Sequence, residues 1–257
     1  MLKSKFKSII DVLAFGAHPD DVEACAAGFL IKAKNQNLTT GIIDLTRGEA
    51  SNFGTVEERE KEAKKAAKIL NLDYRDNLKI PDEHVLVNEE NIKKVLIKIR
   101  ELKPRVVILP YFNDLHPDHA NTGIVGKKAL FFAKIQKYSK EISLPAHQVT
   151  LVLYYMLHTE FKPSFILDIT EEYPRKLKSI YAHKSQFFKK EKKGYSKKFH
   201  NPDFMEFFEA RAKVYGYKIG VKFGEPYLLE GYLGLKNFID ILSGDFRSLT
   251  QWRSEKK

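Results

Sequence analysis

The chain alternates short, continuous apolar runs with longer segments in which apolar residues recur at helical spacing. The continuous runs predict strands buried on both faces, and the periodic segments predict helices. The predicted strands are Ile9–Ala17, Thr39–Thr46, Asp73–Leu78, Arg105–Tyr111, Val149–Leu157 and Ser164–Ile169. The predicted helices are Val22–Lys34, Val56–Leu70, Asn91–Leu102, Ala120–Lys137, Glu172–His183 and Asp203–Tyr215. Thr55 is the expected N-cap of the second helix.

This alternation of buried strands and helices predicts the fold class. It indicates a Rossmann-like α/β fold, in which helices flank a doubly wound, mostly parallel sheet. A length of 257 residues and short linkers favour one α/β domain over residues 1–257. Within it, we expect the residues after about position 139 to form a less regular subregion.

The net charge of +11 is unevenly distributed along the chain. Residues 184–198 contain seven lysines and a single acid, Glu191, so much of the excess lies in one segment. Nucleic-acid-binding modules interleave basic and aromatic residues over a surface or carry a known motif, and neither pattern occurs here. We therefore expect a solvated lysine-rich loop and no nucleic-acid partner.

The apolar stretches, the N-terminal residues and the single cysteine indicate the cellular location that we expect and the kinds of site that are excluded. The longest apolar stretches are far shorter than the roughly 20 residues that a membrane span requires. The basic N-terminus lacks the small-residue cleavage site of a signal peptide, so we expect a cytoplasmic protein without a membrane anchor. Cys25 is the only cysteine, which excludes an internal disulfide and a cysteine-based zinc site.

Two turns of the predicted sheet are rich in metal-ligand residue types. Ala17-His-Pro-Asp-Asp21 follows the first strand, and His116-Pro-Asp-His119 follows the fourth. Ligands of doubly wound sheets bind beyond the carboxyl ends of the strands, where the strand order reverses. Either turn alone is equally compatible with helix capping or a surface loop. Together, at matched strand ends, the two turns predict one active site.

The spacing within these turns predicts a metal centre. A catalytic zinc commonly takes three protein ligands from histidines and carboxylates and keeps one position open. His18 and Asp21 lie three residues apart across one turn, and His119 completes a His-Asp-His set from the other. Zinc is the expected cofactor, one ion per chain, although iron or cobalt also suits these ligands.

The remaining polar residues of the turns have the chemistry of an amide hydrolase. Asp20 is adjacent to the predicted metal and is free to act as general base. His116, protonated, is suited to stabilise an oxyanion, and Asp118 is expected to hydrogen-bond its ring. Two other enzyme classes are not supported, because the chain has neither a Gly-x-Gly-x-x-Gly dinucleotide motif nor a Gly-x-Ser-x-Gly nucleophile motif.

The two turns resemble the signature segments of the LmbE-like (PIG-L) zinc de-N-acetylases, which remove acetyl groups from N-acetylglucosamine (GlcNAc) conjugates. The resemblance implies the same roles for the residues of both turns, a small-molecule GlcNAc conjugate as substrate, and a homo-oligomer, commonly a hexamer. Further blocks resemble the branch that hydrolyses N-acetyl-α-D-glucosaminyl L-malate in bacillithiol biosynthesis. They include Asp44–Glu49, Gly54–Arg59, Pro81–Asp82, Asp168–Ile169 and Ser185–Phe187.

One position departs from that branch. Relatives often carry an arginine directly before the His-Pro-Asp-His segment, where this chain has Leu115. Arg47 and Arg59 remain as candidates to bind the malate carboxylates, although Arg59 could instead pair with glutamates of its own helix. His183 and Gln186 are weaker candidates to approach the site.

The most favoured function is therefore zinc-dependent hydrolysis of the acetamide of a GlcNAc conjugate, most of all the malate conjugate. One alternative is a related amidase that acts on another GlcNAc conjugate or on a thiol S-conjugate. The other is a basic nucleic-acid-binding protein, which the metal-ligand pattern disfavours.

Overall fold

The computed structural model describes residues 10–138, 142–187 and 204–232. His200 and most of the lysine-rich segment, residues 188–198, lie outside these ranges. The strands are β1 (Val12–Gly16), β2 (Thr40–Asp44), β3 (Tyr74–Asn77), β4 (Val106–Pro110), β5 (Leu151–Tyr155), β6 (Phe165–Asp168) and β7 (Gly224–Leu229). The helices are α1 (Asp21–Cys25), α2 (Ala27–Asn35), α3 (Val56–Leu70), α4 (Glu89–Leu102), α5 (Pro117–Ala133), α6 (Tyr173–Ile180), α7 (Lys184–Phe187) and α8 (Phe204–Lys218).

The described strands form one sheet in the order β3-β2-β1-β4-β5-β7-β6. The first five strands in this order are parallel, and β7 is antiparallel to both β5 and β6. The predicted fold class is confirmed. The chain leaves β1 toward β2 on one side and later returns through β4 on the other, so β1 and β4 flank the point where the strand order reverses.

The strand β7 was not predicted from the sequence. Its residues include Gly224 and Pro226, which are signals of loops and edge strands, and it is paired on both sides in the sheet. The position of β7 depends on the tertiary structure, in which β7 lies between β5 and β6 and pairs with both. Strands from both sides of residue 139 thus belong to the same sheet.

Alternating residues of the buried strands face two separate apolar layers. Leu13 and Phe15 of β1 pack with α4 and α5, and Val12 and Ala14 of the same strand pack with α1 and α2. Burying a large apolar side chain such as Leu13 or Phe15 contributes roughly 1.5–3 kcal/mol to folding. Burial on both faces explains why these strands are continuously apolar in the sequence.

Most predicted helices are observed, and α3 has the predicted bounds. Thr55 accepts a hydrogen bond from the Glu58 amide and forms a capping box with that residue. The predicted helix Val22–Lys34 is instead divided into α1 and α2 at Ala26. The cause is a distant residue: the Glu225 carboxylate of β7 accepts hydrogen bonds from the amides of Gly28 and Phe29 and so caps α2.

Among the described residues, no helix is both long enough and apolar enough to cross a lipid bilayer.

Candidate metal centre

The two turns that are rich in metal-ligand residue types meet at one edge of the sheet. Because β1 and β4 are adjacent and parallel, the residues that follow them leave the sheet at the same edge. His18 lies in the turn between β1 and α1, and His119 lies in the first turn of α5. The imidazole nitrogens His18 Nδ1 and His119 Nε2 are 3.2 Å apart, although 101 residues separate them in sequence.

Asp21 completes a compact set of three ligand atoms with His18 and His119. Asp21 Oδ1 lies 3.3 Å from His119 Nε2, and Asp21 Oδ2 lies 3.6 Å from His18 Nδ1. A tetrahedral zinc ion with bonds of about 2.0–2.1 Å separates its ligand atoms by roughly 3.3–3.4 Å. The three side chains therefore fit a divalent ion of this size.

Each of the two histidines has a carboxylate behind the nitrogen that faces away from this set. Asp82 Oδ1 lies 3.0 Å from His18 Nε2, and Asp114 Oδ1 lies 3.0 Å from His119 Nδ1. Such carboxylates fix the ring orientation and the tautomer of metal-binding histidines and increase their basicity. Neither aspartate was predicted as a site residue, although both belong to loops that follow strands.

The electrostatics of the cluster favour a cation. Burial alone would lower the pKa of His119, but Asp21 and Asp114 raise it to about 9. Burial would raise the pKa of Asp82, but its hydrogen bond to His18 lowers it to about 2. The carboxylates thus stabilise positive charge at both imidazoles, and they would equally stabilise a divalent ion held by His18 Nδ1 and His119 Nε2.

Asp20 has an unusual backbone conformation beside this cluster. Its φ is 126°, which strains any residue other than glycine and costs about 1–3 kcal/mol. Its carbonyl accepts a hydrogen bond from the Ala24 amide, so the strained residue also starts α1. Burial raises the pKa of Asp20 above its ordinary value, although the charge of Arg59 opposes this. A buried carboxyl with a raised pKa is suited to accept a proton.

Arg59 has a different position from the one we expected. Its side chain is 3% exposed, and Nη2 contacts both Asp20 Oδ2 at 3.3 Å and the Pro19 carbonyl at 2.9 Å. Nη1 donates to the carbonyl of Gly48, whose φ of +68° and missing side chain leave room for the guanidinium. These contacts engage Nη1 and Nη2, and Nε is buried without a partner among the described residues, so the guanidinium is closed off from a substrate carboxylate and we propose that Arg59 orients Asp20. Arg59 also does not pair with the glutamates of its own helix, α3, which was the alternative considered from the sequence.

The contact between His116 and Asp118 also differs from the prediction. The backbone amide of Asp118, rather than its carboxylate, donates to His116 Nδ1, and His116 is the N-cap of α5. The Asp118 carboxylate accepts hydrogen bonds from the amides of Glu83 and Val85 and lies 3.8 Å from His18 Nε2. The sequence could not reveal this, because the partners are in a separate loop 33 or more residues away.

The position of His116 determines its chemistry. Because Nδ1 accepts the hydrogen bond from the Asp118 amide, the ring proton belongs on Nε2. Burial lowers the pKa of His116, and the nearby charges of His119 and His18 lower it further. The ring stacks on His119 with centroids 4.5 Å apart. His116 is therefore suited to be a neutral hydrogen-bond donor, whereas we expected a protonated one from the sequence.

Of the other residues singled out in the sequence, Arg47 and Leu115 are exposed and His183 is buried. The side chain of Arg47 is 45% exposed and lies 3.6 Å from Glu49. Leu115 is 80% exposed, directly before His116. His183 is fully buried and lies 3.1 Å from Glu23 Oε1. His158, which was not among the predicted site residues, stacks on His119 and forms a second group of potential ligands with Asp114 and His119.

Comparisons of the sequence and the fold with those of known proteins identify relatives of this chain. Residues 13–130 match the family model PIG-L, described as GlcNAc-PI de-N-acetylase. A diacetylchitobiose deacetylase of Thermococcus kodakarensis is 28% identical over 72% of this chain and 73% of its own length. A probable N-acetyl-α-D-glucosaminyl L-malate deacetylase 2 of Bacillus anthracis is 32% identical over 68% of this chain and 81% of its own. The crystal structure of a conserved protein of Thermus thermophilus superposes with a TM-score of 0.77 and 33% identity, covering 89% of this chain and 99% of the other.

Proposed function

This chain belongs to the PIG-L family of de-N-acetylases, and we propose that it hydrolyses the acetamide of a GlcNAc conjugate at the metal centre formed by His18, Asp21 and His119. The observation that carries this proposal is the mutual spacing of 3.2–3.6 Å among their ligand atoms. Separations of this size suit tetrahedral binding of a divalent ion.

The reaction consumes water and releases acetate and a free amine. A divalent ion supplies Lewis-acid polarisation of the acetyl carbonyl and lowers the pKa of water at the site. Asp20 accepts the proton of the attacking water and delivers it to the amide nitrogen as the C–N bond breaks. Arg59 orients the Asp20 carboxylate through the contact at 3.3 Å.

His116 acts on the oxygen that becomes negative when water adds to the acetyl carbon. Its Nε2–H donates a hydrogen bond to this oxyanion, while the Asp118 amide fixes the ring from the other side. One donor of this kind is commonly worth about 3–4 kcal/mol of transition-state stabilisation. The donor set of two imidazoles and a carboxylate supports zinc as the ion, although other divalent metals compete for such ligands.

The aglycone attached to the sugar has two candidates. The relative in Bacillus anthracis favours N-acetyl-α-D-glucosaminyl L-malate, which would place the enzyme in bacillithiol biosynthesis. The relative in Thermococcus kodakarensis favours a neutral second sugar, as in N,N′-diacetylchitobiose. The exposed Leu115 beside His116 fits the neutral aglycone better, because it cannot pair with the malate carboxylates.

One experiment tests the proposal as a whole. The purified protein is stripped of metal, reconstituted with one equivalent of zinc, iron or cobalt, and assayed for amine release from the malate conjugate and from diacetylchitobiose. We expect activity to disappear on stripping and to return with metal on at least one substrate. A fully metal-loaded protein that releases no amine from either would refute the proposed function.

A further inference from the structure

Two sequence blocks that the reaction does not use contact each other. One is the 47–54 loop, defined as residues 47–54 between β2 and α3, and the other is Ser185-Gln186 of α7. They are more than 130 residues apart in sequence, yet two hydrogen bonds of the Gln186 side chain connect them. The contacts suggest that α7 controls the conformation of the loop.

Gln186 binds the loop at two points through its carboxamide. Nε2 donates to the Phe53 carbonyl at 2.7 Å, and Oε1 accepts from the Ser51 hydroxyl at 3.1 Å. Ser51 Oγ in turn accepts from the Phe53 amide at 3.3 Å, and Phe53 is 6% exposed. This end of the loop is therefore tied to α7 by both the oxygen and the nitrogen of one side chain.

Ser185 anchors α7 to α3, the helix that follows the 47–54 loop. Its amide and hydroxyl donate to the two carboxylate oxygens of Glu62 on α3, at 2.7 and 2.6 Å. Gly54 makes the close approach possible: its φ is +78°, and a Cβ there would lie 2.6 Å from Ser185 Oγ. The side-chain ends of Ser185 and Gln186 thus pack directly against the backbone of the 47–54 loop.

The opposite end of the same loop borders the metal centre. The Ala50 amide donates to Asp82 Oδ2 at 3.0 Å, and the Asp82 amide donates to Glu49 at 3.3 Å. Asp82 is also the carboxylate behind His18. Arg47, the exposed cation of the loop, pairs with the same Glu49. The loop therefore spans from α7 to the rim of the site.

We propose that Gln186 is a positioning residue for substrate binding: by fixing the 47–54 loop, it holds Arg47 and the neighbouring backbone at the rim of the site in the conformation that receives the conjugate. The inference rests on the proposed function. Without the two hydrogen bonds from Gln186 to the loop, only a fraction of the molecules holds the loop in its binding conformation. The apparent affinity for substrate is then reduced in proportion to that fraction. The chemistry at the metal is unaffected, because Gln186 contacts none of its ligands in the described residues.

The test compares metal-loaded wild type with Gln186→Met, which keeps the length of the side chain but removes its two hydrogen bonds to the loop and its hydrogen bond to Ser185 Oγ. We expect KM to rise about tenfold, because the binding conformation of the loop becomes less populated by that factor, with kcat within twofold and metal content unchanged. Hydrogen exchange of the amides of residues 47–54 should become faster. Gly54→Ala should reproduce both effects from the loop side. Gln136→Met, in the exposed turn that follows the carboxyl end of α5, is the matched control.

A double variant tests whether Gln186 acts through Arg47. If it does, adding Gln186→Met to Arg47→Met should raise KM by less than Gln186→Met does alone. Unchanged KM in Gln186→Met, a raised KM without faster loop exchange, or a parallel loss of kcat and metal would each overturn the inference. Failure of the wild type to release amine from either conjugate would instead refute the proposed function, and the exchange measurement would still decide whether Gln186 holds the loop.

Discussion

Asp114 Oδ1 lies 3.0 Å from His119 Nδ1, and its second oxygen accepts hydrogen bonds from the amides of His158 and Thr159. One fully buried carboxylate thus orients an imidazole of the metal centre and anchors the loop after β5. His119 Nε2, on the other side of the ring, faces Asp21 and His18. Such a carboxylate increases the basicity of a metal-binding imidazole and fixes which ring nitrogen is available to an ion.

Replacing Asp114 by Asn should weaken metal binding about 10–100-fold, because the amide still accepts backbone hydrogen bonds but no longer polarises His119. Competition with a chelator of known affinity measures the loss. Asp168→Asn, at a carboxylate whose one hydrogen bond within the described residues comes from the Thr170 amide, is the control. Equal affinities of wild type and Asp114→Asn would contradict the proposed role.

Asp20→Asn should reduce kcat by about 10²–10⁴ while metal content stays at the wild-type level, because only the proton carrier is lost. Asparagine also tolerates positive φ better than most residues, so the strained backbone at this position should be retained. Single-turnover amine release and elemental analysis on the same sample provide the two readouts. Wild-type turnover in the zinc-loaded variant would eliminate Asp20 as the base.

His116→Asn tests whether a neutral donor stabilises the oxyanion. Asparagine is a good N-cap and can accept the Asp118 amide in place of Nδ1, so α5 should start normally. The Nε2–H donor is lost, and kcat should fall about 10²–10³-fold at constant metal content. Circular dichroism checks the helix content. A variant with normal kcat would show that the oxyanion is stabilised by other groups.

Arg100 offers a stability prediction away from the site. It is fully buried, and its guanidinium donates to four backbone carbonyls, those of Phe132, Ala133, Ile135 and Leu144. It thereby binds the carboxyl end of α5. Arg100→Met should lower the free energy of unfolding by about 2–4 kcal/mol, because several buried carbonyls lose a charged donor. Urea unfolding measures this, with the exposed Arg105→Met as control, and KM should not change.

The parallel sheet and the meeting of His18, Asp21 and His119 could be predicted from the sequence because both depend on local patterns. Continuous apolar runs marked the parallel strands β1, β4 and β5, and the turns at His18 and His119 follow strands whose ends must meet. The features that were not predicted depend on distant contacts. Pro226 concealed β7, the Asp118 carboxylate binds backbone amides of another loop, and the donors of Arg59 are directed to Asp20. No spacing rule brings such partners together, because the tertiary fold alone determines which loops are neighbours.

Leu115 provides a test of the aglycone. It is 80% exposed and directly precedes His116, so a longer side chain can be accommodated there without repacking. Leu115→Arg places a guanidinium at the rim of the site, where a bidentate pair with a malate carboxylate should contribute roughly 1.5–3 kcal/mol. The ratio of kcat/KM for the malate conjugate to that for diacetylchitobiose should therefore rise about tenfold or more. Val214→Arg, which adds the same charge at an exposed position of α8, should leave the ratio unchanged. If Leu115→Arg also leaves it unchanged, the aglycone does not reach Leu115, and Arg47 of the 47–54 loop becomes the residue to vary.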